Sequence, residues 1–156
     1  GMLAALLSAQ RSGQGRFVDV SMTHEVWRHH VLARITLQAS GRMPAPGRDL
    51  LSGGAPCYGA YRCADGRFMA VGALEMKFWR ALCEALGRPE WIERHWSRGL
   101  VPGSTESMAL RADVAALFAS QPMAHWAALF EGVDACVTPV LRLDELAAHP
   151  LYGRSG

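Results

Sequence analysis

The chain has 156 residues, 50% of them hydrophobic, and a formal net charge of +2. This is enough apolar material for one modest domain with its own core, or a small domain with extra segments, and it excludes a disordered tail. Acids and bases are interspersed along the sequence, which argues against a nucleic-acid footprint or a basic membrane-binding surface.

The opening run, GMLAALLSAQRSGQG, starts inside an apolar helical pattern with no capping signal ahead of it and reads as the interior of a longer element. RFVDV, residues 16–20, follows two glycines and reads as a short strand, although no neighbouring strand is evident for it to join. MTHEVWRHHVLARITLQASG then predicts a single helix closed by Gly41. Residues 42–56 carry three prolines and three glycines, the chemistry of a linker.

The hairpin signal is the strongest. CYGAYRCA and RFMAVGA flank Asp65-Gly66, a dipeptide that tolerates the positive φ of a tight turn. A helix ending at Gly87 follows directly, and Pro89 opens another short one. Ser104 caps a long helix with an apolar stripe through Leu110, Val114, Leu117 and Phe118. PMAHWAALFEG is a further helix, DACVTPVL a third strand with Pro139 at an edge or end, and LDELAAHP a last short helix.

Glu75 is the residue that fits least well. On a helical wheel through residues 71–87 it falls among Leu74, Phe78, Ala81, Leu82, Ala85 and Leu86, opposite Lys77, Arg80 and Glu84. A carboxylate facing a core must be paired, neutralised or left at a cleft, since burying it bare costs several kcal/mol. Two readings stay open: an acid favoured in a first helical turn by the amide dipoles, or a strand-end carboxylate that orients a histidine or handles a proton.

Other chemistry is thin. Gly53-Gly54 allows a ligand to approach the backbone closely, as many turn glycines do, but it lacks the spacing of a phosphate loop. Met22, Trp27 and Met43 fit either core packing or an acyl pocket. The six histidines share no ligand spacing, and no serine sits in a nucleophile elbow. Cys57, Cys63, Cys83 and Cys136 have no CxxC pair and read as small core residues of a reducing compartment. No segment approaches the roughly 18 to 20 apolar residues of a membrane span or the pattern of a signal peptide, so a soluble, cytoplasmic protein is expected.

The run from Gly53 to Trp79, GGAPCYGAYRCADGRFMAVGALEMKFW, together with GQGRFVDVSM and DACVTPVL, resembles the α-methylacyl-CoA racemases of the family III CoA-transferase (CaiB/BaiF) superfamily. The resemblance implies two interlocked ring-like subunits, each with a large Rossmann-like domain and a small α+β domain, and an active site between the large domain of one subunit and the small domain of the other. It implies inversion of the carbon next to an acyl-CoA thioester through an enolate, with a histidine and an aspartate moving the proton and a glutamate supporting the histidine. By motif that glutamate is Glu75. Gly53, Gly54, Tyr58 and Leu74 are the expected contacts to acyl-CoA, which enters as substrate without a further cofactor or a metal. His24-Glu25 stand where the family commonly has aspartate and glycine.

The expected fold is therefore α+β. Residues 1–21 form a remnant of the large domain, 22–52 a linker helix and loop, 53–142 a small domain with a three-stranded, mainly antiparallel sheet, and 143–156 a C-terminal linker. The family's histidine and aspartate would lie upstream of this sequence, so the chain alone is expected to be inactive. A family III CoA-transferase and a non-catalytic assembly domain are the alternatives.

Overall fold

The computed structural model describes residues 1–43, 45–150 and 152, so Pro44 of the expected linker and residues 151 and 153–156 of the expected C-terminal linker lie outside the described residues. The chain divides into two compact units, Gly1–Met43 and residues 44–156.

In the first unit, α1 (Met2–Ser12) ends at Gly13, whose φ of 69° reverses the chain and lets its N–H close onto the Ala9 carbonyl. The strand expected at residues 16–20 does not form. A strand exists only where its N–H and C=O groups meet a neighbour's, and no ladder reaches this stretch among the described residues, while Phe17 is 95% exposed.

The single helix expected over 22–41 is two: α2 (Met22–His29), capped by Ser21 Oγ accepting from the His24 N–H, and α3 (Val31–Ser40), closed by Gly41 at φ 66°. They break at His30, whose ψ of 42° leaves the helical well. No residue of α1 or α2 is buried within the chain, so no packed face holds the backbone to one continuous helix.

The second unit is the α+β domain. β1 (Tyr58–Arg62) and β2 (Phe68–Gly72) form the expected hairpin, in register from Tyr58 opposite Gly72 to Arg62 opposite Phe68. Gly66 takes φ 79° at the turn, and Asp65 Oδ1 accepts the Arg67 N–H at 3.1 Å. β3 (Val137–Pro139) adds antiparallel to the other side of β2, so Pro139 sits on an edge strand, where its missing donor is harmless.

Helices cover the sheet. α4 (Met76–Ala85) ends in a Schellman closure, with Gly87 at φ 66° and the Arg88 N–H on the Cys83 carbonyl. The segment opened by Pro89 is shorter than a helix and forms two 3₁₀ turns, Pro89–Trp91 and Trp96–Arg98. α5 (Thr105–Phe118) begins at Ser104, whose Oγ accepts the Ser107 N–H at 3.2 Å, and packs on β1. α6 (Met123–Leu129) packs on β2 and β3, and α7 (Leu143–Leu146) follows.

The core is built from alternate strand positions and the helical stripe. Tyr61, Met69 and Val71 are buried from the hairpin, as are Leu110, Val114 and Phe118 from α5 at intervals of four. The Phe118 ring stacks on Tyr61 at 5.3 Å and meets Trp126 at 5.1 Å. Each such side chain contributes about 1.5–3 kcal/mol by leaving water. Two buried indoles are matched: Trp79 Nε1 donates to the Trp91 carbonyl at 3.0 Å and Trp126 Nε1 to the Phe118 carbonyl at 2.8 Å. No described helix is long and apolar enough to cross a membrane.

Candidate functional site at the sheet end

Glu75 lies where the sheet gives way to α4. The Gly72 N–H donates to the Cys136 carbonyl at 2.8 Å, Ala73 N–H to the Cys57 carbonyl at 2.9 Å, and Leu74 N–H turns back onto Gly72 at 2.9 Å. These bonds end the strand and rotate the chain into α4 with Glu75 as the N-cap residue, φ −85° and ψ 145°. Its carbonyl accepts the N–H groups of Phe78 and Trp79, each at 3.1 Å, and its carboxylate makes no capping bond.

The helical wheel is corrected here. α4 begins at Met76, so Glu75 precedes the wheel and its side chain is exposed. An acid at a helix N-terminus is favoured by the amide dipoles, and in water it needs no partner.

Two more expected residues lie at the same end, Tyr58 by register and Leu74 by the turn. Tyr58 pairs with Gly72 and is half-buried. Leu74 is half-buried against the core, and its carbonyl accepts Trp96 Nε1 at 2.8 Å. Gly53 and Gly54 are engaged internally. A Cβ on Gly53 would meet the Gly47 carbonyl oxygen at 2.8 Å, and one on Gly54 the Arg48 oxygen at 2.2 Å, while the Gly54 carbonyl accepts Ser107 Oγ at 2.6 Å. The close approach this glycine pair permits is to the chain's own backbone.

Cys136 departs from the reading of the cysteines as core residues. Cys57, Cys63 and Cys83 are buried, but Cys136 is exposed and holds a left-handed φ of 51°. Partial desolvation raises its thiol pKa, the charges of Asp134 and Glu75 raise it further, and Lys77 opposes them. Glu75, Lys77, Asp134 and Cys136 therefore form one electrostatic neighbourhood.

Sequence spacing gave no hint of two other groups. Arg111, from α5, passes over Gly59 and donates from Nη1 to the carbonyls of Ala55 and Tyr58 at 3.1 and 3.2 Å, with its guanidinium 5.0 Å from the Tyr61 ring centroid. His95, which shares no ligand spacing with the other histidines, is buried with its ring against Trp79 of α4 and Trp96. Only the glycine at position 59, which leaves room for the guanidinium, could have signalled the first.

Chemically, the arrangement offers an accessible carboxylate at the sheet end that also carries half-buried Tyr58 and Leu74. Burial lowers the His95 pKa and raises the Cys136 thiol, so neither neighbour is tuned as a strong base or nucleophile at neutral pH. Glu75 is suited to accept a hydrogen bond and orient a donor. No group of three or more His, Cys, Asp or Glu among the described residues is placed to hold a metal ion.

Comparison with known proteins agrees with this architecture. The family model described as CoA-transferase family III matches residues 1–156. Alpha-methylacyl-CoA racemase of Homo sapiens is 36% identical over 150 residues, covering 96% of this chain, and acetyl-CoA:oxalate CoA-transferase of Acetobacter aceti is 27% identical over 156 residues. This chain spans 38% of the length of each. The crystal structure of Rv3272 from M. tuberculosis superposes with a TM-score of 0.60 at 24% identity, covering 97% of this chain and 38% of that one, a likeness of fold. With the family model matched from end to end and the three-stranded α+β domain in place, the chain belongs to CoA-transferase family III.

Proposed function

We propose that this chain contributes the supporting glutamate of an acyl-CoA racemase, which inverts the α-carbon of 2-methylacyl-CoA thioesters by removing a proton and returning it on the other face. The observation that carries the reading is 36% identity over 150 residues to a relative named for that activity, in a sequence that sets Glu75 at the junction of β2 and α4. Acyl-CoA enters as substrate, and no further cofactor is required.

The physics assigns Glu75 a supporting role. A thioester α-proton is weakly acidic, and inversion needs proton carriers on both faces and a stabiliser for the enolate oxygen. One exposed carboxylate supplies neither pair nor stabiliser. In this reading the carriers come from the part of the relatives' length that this sequence does not span, and Tyr58 and Leu74 form the wall against the substrate.

The exposed Glu75 also calls for a covering surface, because a carboxylate in water orients a partner poorly. A homodimer would supply one. The exposed apolar side chains of the first unit, Leu3, Leu7, Phe17, Val26 and Trp27 among them, support such an assembly.

The test is heavy-water exchange at the α-carbon of 2-methylacyl-CoA. The chain alone is expected to give none; supplied with the remaining portion of a racemase relative, it should give exchange without any added carboxylic acid, and Glu75→Gln should abolish most of it. CoA transfer to an added carboxylate without α-exchange would replace this reading with that of a transferase, and robust exchange by the chain alone would overturn its assigned dependence on further residues. Sedimentation with and without acyl-CoA separates a third reading, since pure assembly predicts self-association that ignores the ligand.

A further inference from the structure

We propose that His95 and Trp96 are positioning residues that brace the Ala73–Glu75 turn and thereby set where the Glu75 carboxylate is presented. The inference rests on the reading of Glu75 above, but its test uses no acyl-CoA and so can fail or succeed independently of that reading.

Three consecutive residues of the turn are tied by different elements. Ala73 is fixed from the hairpin side by its N–H on the Cys57 carbonyl, and Glu75 from the helix side by the Phe78 and Trp79 N–H groups. Leu74, between them, has its carbonyl held by Trp96 Nε1 at 2.8 Å. The Trp96 ring is 40% exposed, so this indole is not placed by burial alone.

His95 packs beneath. It is 1% exposed, with its ring 6.1 Å from Trp79 of α4 and 5.6 Å from Trp96. The Ser97 N–H contacts His95 Nδ1 at 3.3 Å and Ser97 Oγ lies 2.8 Å from the same nitrogen. An amide can only donate, so Nδ1 is the acceptor and the neutral ring carries its proton on Nε2. Nε2 is buried with no hydrogen-bond partner. The backbone of Ala73 and Leu74 is near enough to act electrostatically on the imidazole. What His95 supplies to the turn is therefore packing: its ring backs Trp96, whose indole holds the Leu74 carbonyl, and Trp79, whose N–H closes onto the Glu75 carbonyl.

The test is amide hydrogen exchange by NMR on the 156-residue chain carrying Trp96→Phe, His95→Phe or His95→Gln. Trp96→Phe keeps an aromatic ring and deletes the donor to Leu74; His95→Phe keeps a ring against Trp79 and Trp96, and His95→Gln removes it. Exchange at Phe78 and Trp79, whose N–H groups report the Glu75 carbonyl, is expected to rise roughly fivefold to tenfold in Trp96→Phe, as loss of one modest hydrogen bond implies, and to rise also in His95→Gln. The amides of Leu110 and Val114 in α5 should stay unchanged, and His95→Phe should fall near the parent. Unchanged exchange at Phe78 and Trp79 in both Trp96→Phe and His95→Gln would overturn the proposal, as would an equal rise throughout the domain in Trp96→Phe. Should His95→Gln fail to fold, Trp96→Phe, which alters a partly exposed ring, decides alone.

Discussion

Arg67, the residue just ahead of β2, grips Glu145 of α7 with both arms of its guanidinium, Nη1 to Oε1 at 2.9 Å and Nη2 to Oε2 at 2.7 Å. The same Nη2 donates to the Val140 carbonyl at 3.3 Å, and Glu145 Oε2 also accepts the Arg142 N–H at 2.7 Å. One carboxylate thus caps a four-residue helix and ties it to the hairpin. A helix that short does not hold itself.

The Glu145 pKa is lowered, first by the Arg67 hydrogen bond and then by the Arg142 amide. Its depressed folded value means the contact is at full strength above the ordinary carboxylate range and is lost as pH falls through the folded pKa. Glu145→Gln should therefore make the chain beyond Arg142 severalfold more susceptible to limited proteolysis at neutral pH, and should weaken the acid dependence of that cleavage in the parent. Equal cleavage rates in both proteins at neutral pH would show that the pair does not secure α7.

Much of this domain was legible because the signals were local. Asp65-Gly66 fixes the hairpin through a φ that glycine adopts freely, and Ser104 names the start of α5 because a hydroxyl must meet the N–H groups there. The misreadings were nonlocal. Residues 16–20 look like a strand by composition, but a ladder needs a neighbour. The break at His30 leaves no proline or glycine in the sequence to announce it. A helical wheel puts Glu75 on a helical face because it cannot see that the Cys136 and Cys57 carbonyls, accepting from Gly72 and Ala73, keep the chain extended and delay α4 until Met76.

Glycine substitutions should separate close approach from turn strain. A Cβ at Gly54 would lie 2.2 Å from the Arg48 oxygen and 2.6 Å from the Asp49 oxygen, both backbone atoms that cannot step aside. At Gly87 a Cβ meets nothing within 4 Å, so alanine there faces only the left-handed φ of 66°. Gly87→Ala should lower stability by about 1–2 kcal/mol, and Gly54→Ala by about 3 kcal/mol or more, as overpacking against fixed backbone implies. Urea unfolding measures both, and a smaller loss for Gly54→Ala than for Gly87→Ala would contradict the internal packing of the glycine pair.

Thiol chemistry reports on the Glu75 neighbourhood. Burial pushes the Cys57 thiol up to about 11 and Cys83 to about 12, and raises Cys63, so these three should resist alkylation at pH 8. Cys136 is exposed and should react first, though more slowly than a free thiol because partial desolvation, and then the charges of Asp134 and Glu75, disfavour its thiolate. Glu75→Gln removes one of those charges, so iodoacetamide labelling of Cys136, followed by mass spectrometry, should accelerate. A rate that does not change would place the carboxylate too far from the thiol to be felt.

Acid should weaken the domain through His95. Its pKa is lowered, first by burial, with the Ala73 and Leu74 backbone acting in the opposite direction. The folded state therefore binds its proton less readily than the unfolded chain, whose imidazole titrates near the ordinary value of about 6.5. Below that pH the unfolded chain gains protons the folded one refuses, so stability falls with pH until the folded pKa is reached, and above it His95 has no effect. Protonation would also convert Nδ1 from acceptor to donor and turn it against the Ser97 N–H that now points at it. The charges on neighbouring segments, Glu75 and Lys77 at the start of α4 and the Glu93–Arg98 pair at 3.7 Å, are present in parent and variant alike. Urea midpoints at pH 7.5 and pH 5 should therefore differ more in the parent than in His95→Gln, which cannot titrate. If the two proteins lose stability in parallel over that interval, the buried imidazole is not the group that responds to acid.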